Sequence, residues 1–242
     1  MNAALKFAPP LDPFCDRRDV RIDGCASEPS PVYPAIFAAT LFDARDAHLA
    51  NVHVFAQPSQ RALFAAVEHA ECTLAAMSAS RAARAILEGL PAKIVCAAVA
   101  PVDYAAFEGE PAVPWDRVGP SVRALPPRAV LVAPTRHLDE DPSLVRMAIE
   151  AYWEGAMRAV REPAMLSVVL ATELGLSPAS AELEAQRALR AWRLDPSVRL
   201  EGLTAILDRI TRERAFAHCR PEWLLDERFV RAEWARIERA ST

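Results

Sequence analysis

The chain has 242 residues, 52% hydrophobic and 25% charged, with 28 Lys and Arg against 32 Asp and Glu and a formal net charge of −4. This is ordinary globular composition, long enough to bury a sizeable core in one large domain or two small ones. The acidic balance argues against nucleic acid as the main partner, because phosphate binding needs a basic face, and no run of ~18 apolar residues offers a membrane-spanning helix.

The first eighteen residues hold Pro9, Pro10 and Asp12 and show no periodicity, so residues 1–18 are expected to be an irregular arm, with no signal peptide. The expected location is cytoplasmic for the chain as written, and periplasmic if the true start lies upstream. Strand alternation appears in "DVRIDGC" (19–25). "SPVYPAIFAATLFDAR" then reads as a helix with Ser30 as N-cap and Pro31 at its first position. "NVHVFAQ" (51–57) is a second strand, and "SQRALFAAVEHA" a helix capped by Ser59. "CTLAAMSA" is a buried strand by its short apolar run, "SRAARAILEG" a helix that Ser80 caps and Gly89 ends, and "AKIVCAAVA" a fourth strand.

The stretch 101–127 is dense in Pro and Gly and reads as loop. "RAVLVAP" (128–134) is one more apolar strand, expected in the same sheet as the first four, with no second sheet. From 135 onward the chain reads as helices: one starting at Pro142, then "MLSVVLATELGL", then one capped by Ser177, then "DPSVRLEGLTAILDRITRER" and "PEWLLDERFVRAEWARIERA". Strands separated by helices of about ten residues predict an α/β fold with one parallel or mixed sheet of about five strands. The expected division is an α/β lobe over 19–134 and a helical region over 135–242.

Ligands in open α/β sheets sit beyond the carboxyl ends of the strands. Ser27, Glu28 and Ser30 follow the first strand, Gln57, Ser59 and Gln60 close the second, and Ser78 and Ser80 close the third. Hydroxyls and free amides at helix starts suit an anionic head group, although serines there also serve simply as caps. Glu28 would suit an amine or cation instead. The five histidines have no metal-ligand spacing, and no G-x-S-x-G, P-loop or G-x-G-x-x-G occurs, so no metal, no cofactor and no catalytic residue is expected. Glu28 with His53 or Cys25 is the best catalytic grouping on offer. Five dispersed cysteines without C-x-x-C fit a reducing compartment and buried thiols. Trp153 and Trp192 are expected to pack between helices, and Trp115 to cover surface or anchor a partner.

Several segments together resemble the nitrate/sulfonate/taurine-type substrate-binding proteins of ABC transporters, whose fold the thiamine-pyrimidine synthases share. The matching steps are Thr40-Leu41-Phe42 at the first helix end, Ala65 to Ala75, and Arg84 to Val95. "VLVAPTRHLDEDPSLVRMAIEAYWEGAMRAVREP" resembles the returning strand and its helix, and "LDPSVRLEGLTAILDRI" and "PEWLLDERFVRAEW" resemble closing helices. The resemblance implies a periplasmic-binding-protein-like first lobe, a small organic or anionic ligand, and an ABC permease or an oligomer as partner. Two departures stand out. Ala70-Glu71-Cys72-Thr73 lacks the Gly and Asp of the family's turn, and residues 101–127 are too short for the second lobe. The alternatives are an enzyme or accessory subunit on the same scaffold, and an interaction subunit using the exposed lobe face.

Overall fold

The computed structural model describes residues 18–26, 30–41, 51–99, 103–104, 113–114, 128–192, 194, 198, 200–213, 219–226 and 228–229. Strands β1 (Asp19–Cys25) and β2 (Asn51–Gln57) have the bounds their alternation predicts. The helix between them begins later than expected. Ser30–Val32 is a 3-10 turn, and α1 runs over Tyr33–Leu41. A helix capped by Ser30 would have Pro34 at its fourth position, where an N–H must bond back to the cap carbonyl. Proline has none, so the helix restarts with Pro34 in its first turn.

Helix α2 (Gln60–Glu68) is capped as predicted, Ser59 Oγ accepting from Ala62 N at 3.2 Å. Strand β3 (Leu74–Ser78) runs directly into α3 (Ala79–Leu87), which leads to β4 (Ala92–Ala97). The cap of α3 is therefore Ser78 and not Ser80, which lies inside the first turn. Pairing with the neighbouring strand sets this point: Ala79 N donates to Arg128 O at 2.9 Å, so the strand ladder hands over to the helix without a loop.

The span 101–127 also departs from expectation. Among its described residues, β5 (Asp103–Tyr104) and β6 (Val113–Pro114) form an antiparallel two-stranded ladder, so a second, small sheet does exist. Strands of two residues are too short for alternation to register in a sequence.

Strand β7 (Ala129–Pro134) joins the main sheet as predicted, in the order β2-β1-β3-β7-β4. β1 is parallel to β2 and β3, while β7 runs antiparallel between β3 and β4. The fold is α/β with one mixed five-stranded sheet. Helices α4 (Thr135–Glu140), α5 (Pro142–Arg161), α6 (Pro163–Leu174), α7 (Pro178–Ala191) and α8 (Leu200–Glu213) follow. Asp141 and Ser177 cap α5 and α7 through their side chains. The last predicted helix is not continuous. Pro221–Leu224 is a 3-10 turn, and Leu225 then bridges to Ile94, with Asp226 N donating to Ile94 O at 2.9 Å. The outer edge of β4 offers backbone acceptors there, and pairing with them outcompetes another helical turn.

All six residues of β7 are buried, because helices cover the sheet on both faces. On one face Val20, Ile22 and Leu131 pack with Phe37 of α1 and Ile149 and Trp153 of α5. On the other, Val130 and Val132 pack with Leu63 of α2, Ala82 of α3 and Ile206 of α8. Each fully buried Val, Leu or Ile stabilises by about 1.5–3 kcal/mol. The helices α1 and α5 meet at Gly155, where a Cβ would stand 2.1 Å from the Pro34 carbonyl oxygen. Among the described residues, no helix is long and apolar enough to cross a membrane.

Candidate functional site

After β1 the chain turns to α1 on one face of the sheet, and after β2 and β3 it turns to α2 and α3 on the other. Connections that diverge in this way open a crevice beyond the carboxyl ends of the strands. Ser30 stands there at the start of the 3-10 turn, while Ser27 and Glu28 lie outside the described residues. Gln60 opens α2, and its Oε1 accepts from Arg81 Nη1 at 3.2 Å, which ties the start of α2 to the first turn of α3. Its Nε2 is buried and has no hydrogen-bond partner. Ser78, half-buried at the N-cap of α3, makes no side-chain cap bond, and Ser80 is half-buried one step on.

The structure ties Gln60 to Arg81, which follows Ser78 and Ser80 in the chain, and leaves Ser59 exposed in its capping role. A buried amide donor, two hydroxyls and the first-turn amides of α3 make a donor-rich rim. Such a rim can take oxygen acceptors from a polar or anionic group. Arg81, which carries a charge into this rim, was not singled out from sequence. Its position three residues after a strand end, beside Ser78 and Ser80, was the available signal.

Gln57 does something else. Its Nε2 donates to Asp23 Oδ2 at 2.6 Å, turning the side chain under α2. Asp23 is fully buried and also accepts two bonds from Arg21, at 2.8 and 2.9 Å. Hydrogen bonding to Asp23 raises the Arg21 pKa above its ordinary value. The Arg21 guanidinium lies 4.2 Å from the Phe55 ring centre, within cation–π range. Cys72 is part of this neighbourhood: burial, with the Asp23 charge second, pushes its thiol pKa well up. The alternation of Asp19, Arg21 and Asp23 along β1 was legible as a charged stripe, but its partner Gln57 was visible only once the strands were in register.

A third polar group lies on the α5 side of the sheet. Tyr152 Oη donates to Pro31 O at 2.7 Å and accepts from Val99 N at 3.1 Å, so one fully buried phenol holds the segments after β1 and β4. Burial raises its pKa well above the usual phenol value. The phenol of Tyr33 donates to Glu184 Oε1 at 3.0 Å, linking α1 to α7.

His53 and Cys25 are not brought together. His53 Nε2 lies 3.3 Å from Asp19 Oδ1, near the amino ends of the strands, while Cys25 closes β1 and packs in the core beneath α2. Among the described residues, no group of three or more His, Cys, Asp or Glu could hold a metal ion. Trp153 and Trp192 are packed in the core as predicted, and Trp115 lies outside the described residues.

No family model matches the sequence, and no curated protein does. Solved structures do match. The zinc-bound ligand-binding component of an ABC-type import system from Staphylococcus aureus aligns over 87% of this chain and 97% of its own, at 9% identity and a TM-score of 0.63. The alkanesulfonate-binding protein SsuA from Xanthomonas axonopodis pv. citri, bound to MOPS, aligns over 88% and 96%, at 10% identity and a TM-score of 0.55. A Candida albicans gene product, described as defining a new family with the generic periplasmic binding protein fold, aligns over 85% and 93%, at 10% identity and a TM-score of 0.60. At these identities the likeness is one of fold, and the chain has the periplasmic binding protein fold.

Proposed function

We propose that this chain is a substrate-binding-protein-like module that holds a small organic or anionic molecule at the carboxyl ends of β1, β2 and β3. The observation that carries the reading is the buried Gln60 Nε2 without a partner, on a side chain bonded to Arg81 in the first turn of α3, the helix whose N-cap Ser78 makes no side-chain cap bond. A buried donor without an acceptor costs about 1–3 kcal/mol, and a ligand oxygen would recover it. Ser27, Glu28, Ser30, Gln60, Ser78 and Ser80 belong to this reading, with Arg81 added as the charged partner, while Gln57 is held by Asp23 and Ser59 caps α2.

In this reading residues 19–134 form the ligand-holding lobe and 135–242 the helices packed on it, with 101–127 standing in for a second lobe. The ligand in this reading is nitrate-, sulfonate- or taurine-like and the partner an ABC permease or an oligomer, a reading in keeping with fold neighbours described as an ABC-type import component and an alkanesulfonate-binding protein.

Thermal unfolding of the full chain with taurine, methanesulfonate, nitrate and aromatic carboxylates tests it. A true ligand at a hundred times its Kd stabilises by about 2.7 kcal/mol, and Arg81→Ala should remove that shift. No stabilisation by any of these at millimolar concentration would overturn the reading.

A further inference from the structure

The Gln60 amide has two poles, and only one of them is met inside the protein. Its Oε1 accepts from Arg81 Nη1 at 3.2 Å, while its Nε2 is buried and has no hydrogen-bond partner. The oxygen of an amide accepts and its NH2 donates. Arginine carries donors only and keeps its charge throughout the range in which proteins fold. Turning the amide over would set NH2 against the guanidinium, donor against donor, and bury the oxygen instead. Arg81 therefore keeps the oxygen to itself and leaves the NH2 on the far side. Gln60 opens α2 and Arg81 lies in the first turn of α3, so two helix starts on one face of the sheet carry the pair. Gln57, three residues earlier, shows what completes such an amide. Its Nε2 donates at 2.6 Å to Oδ2 of Asp23, the carboxylate of a fully buried residue, a short, charge-assisted bond. Gln60 has the same donor and no such anion.

We propose that Arg81 is a positioning residue that sets the polarity of the ligand site: by holding Gln60 Oε1 it presents Nε2 as a fixed donor, so that the group received there is an oxyanion and an ammonium group is refused. Given the ligand-holding reading above, on which this rests, the anionic end of the ligand goes to Gln60, and Arg81 acts through Gln60 without touching the ligand. An ammonium carries hydrogens and no acceptor. Set against Nε2, it would leave two donors desolvated and unmet, the costly arrangement for buried polar groups. The sign of the α3 start agrees, because the amino end of a helix is its positive end. The strand-end residues by themselves left an anion and an amine both open, and the direction of one amide separates them.

Methanesulfonate offers oxygens alone and ethylammonium hydrogens alone, so thermal unfolding of the full chain with each reads the polarity. Methanesulfonate should stabilise and ethylammonium should not. Gln60→Glu keeps an oxygen facing Arg81 and puts another where Nε2 stands, and should weaken methanesulfonate binding by at least about tenfold. Arg81→Met frees the amide to turn and should weaken it by about tenfold, yet in a Gln60→Ala background the same change should add nothing. The ligand-free chain supplies a separate reading. The side-chain NH2 signal of Gln60 in NMR should exchange slowly with solvent, and Arg81→Met should split or broaden it. If methanesulfonate gives no shift while that signal responds, the ligand reading falls and the oxyanion assignment with it, and the fixed amide stands. If methanesulfonate binds but the signal ignores Arg81→Met, or the two substitutions cost affinity additively, the ligand reading stands and the role given to Arg81 is overturned. Stabilisation by ethylammonium that Gln60→Ala abolishes would overturn the polarity itself.

Discussion

Under α2 and at its N-terminus stand two polar groups built from similar residues, and they are finished differently. Asp23 is fully buried, yet it accepts from Arg21 twice and from Gln57 once, and Arg21 also lies over Phe55. Gln60, only one turn from Gln57 along the chain, has one side-chain bond, to Arg81, and a buried Nε2 with none. The first group is closed on itself and holds β1 to β2. The second leaves one buried amide donor, Gln60 Nε2, without an acceptor, an arrangement that stability alone does not favour. Two glutamines in neighbouring positions thus serve separate ends, and the difference lies in what the fold brings next to each.

The largest effect expected from this comparison is at the closed group. Asp23→Ala leaves Arg21 and Gln57 facing an empty site, and breaking a buried pair costs about 3–5 kcal/mol. The Arg21 side chain is 28% exposed and can reach water, which favours the lower end, about 3 kcal/mol. Urea unfolding measures it; a loss below about 1 kcal/mol would place the group outside the stabilising framework.

Cys72 sharpens the same point through pH. Its folded pKa is raised by burial, so its stabilising contribution is complete below the unfolded thiol pKa of about 8.5. Above that value the unfolded chain releases a proton that the folded chain keeps. Stability should therefore fall as pH rises towards the folded value, by up to about 1.4 kcal/mol per pH unit. Urea titrations between neutral pH and pH ~9.5 should show this decline, and Cys72→Ala should flatten it. The same slope in both proteins would assign the effect elsewhere.

A smaller contrast separates the two helix starts at the rim. Ser59→Ala removes a formed cap and should cost about 1 kcal/mol, whereas Ser78, which bonds no amide, should cost less than about 0.5 kcal/mol on the same change. The predicted order reverses for ligand affinity, where Ser78→Ala should matter more. Calorimetric melting with and without ligand checks both; equal stability losses would mean that Ser78 caps in solution.

The smallest effect is a gain. Helices α2 and α3 end in the same double bond pattern: Glu71 N to Ala66 O and Ala70 N to Val67 O in one, Leu90 N to Ala85 O and Gly89 N to Ile86 O in the other. Gly89 takes the positive φ of 107° without strain, but α2 forces Ala70 to a φ of 53°. Ala70→Gly should stabilise by about 0.5–1 kcal/mol, the relieved αL strain exceeding the added chain entropy. No change in melting temperature would show that the surrounding contacts already compensate the strain.

Much of the fold was legible from the chain because its signals are local. Alternation placed β1 and β2 to the residue, and Ser59, Ser177 and Pro142 marked helix starts, since a cap or a first-turn proline acts within one turn of itself. Two of the misplacements were local signals overruled from a distance. Ser80 lost the cap of α3 to Ser78 because β7 pairs up to that point, and the last helix gave way where β4 offered its edge to Leu225. That Ser78 and Ser80 follow a strand end could be read by position, and the link of Arg81 to Gln60, twenty-one residues away, could not.

What the sequence determined by itself, then, is the kind of fold and the run of its elements: apolar strands long enough to need cover on both faces, and helices with their own starts and stops. Only the tertiary structure decided which polar groups are closed and which are open. Gln57 meets Asp23 because parallel register sets β2 beside β1, and Tyr152 meets both Pro31 and Val99 because α5 crosses behind the strand ends. Hydrogen bonds reach only about 3 Å, so their satisfaction depends on where distant segments are brought to lie, and no local pattern along the chain encodes that.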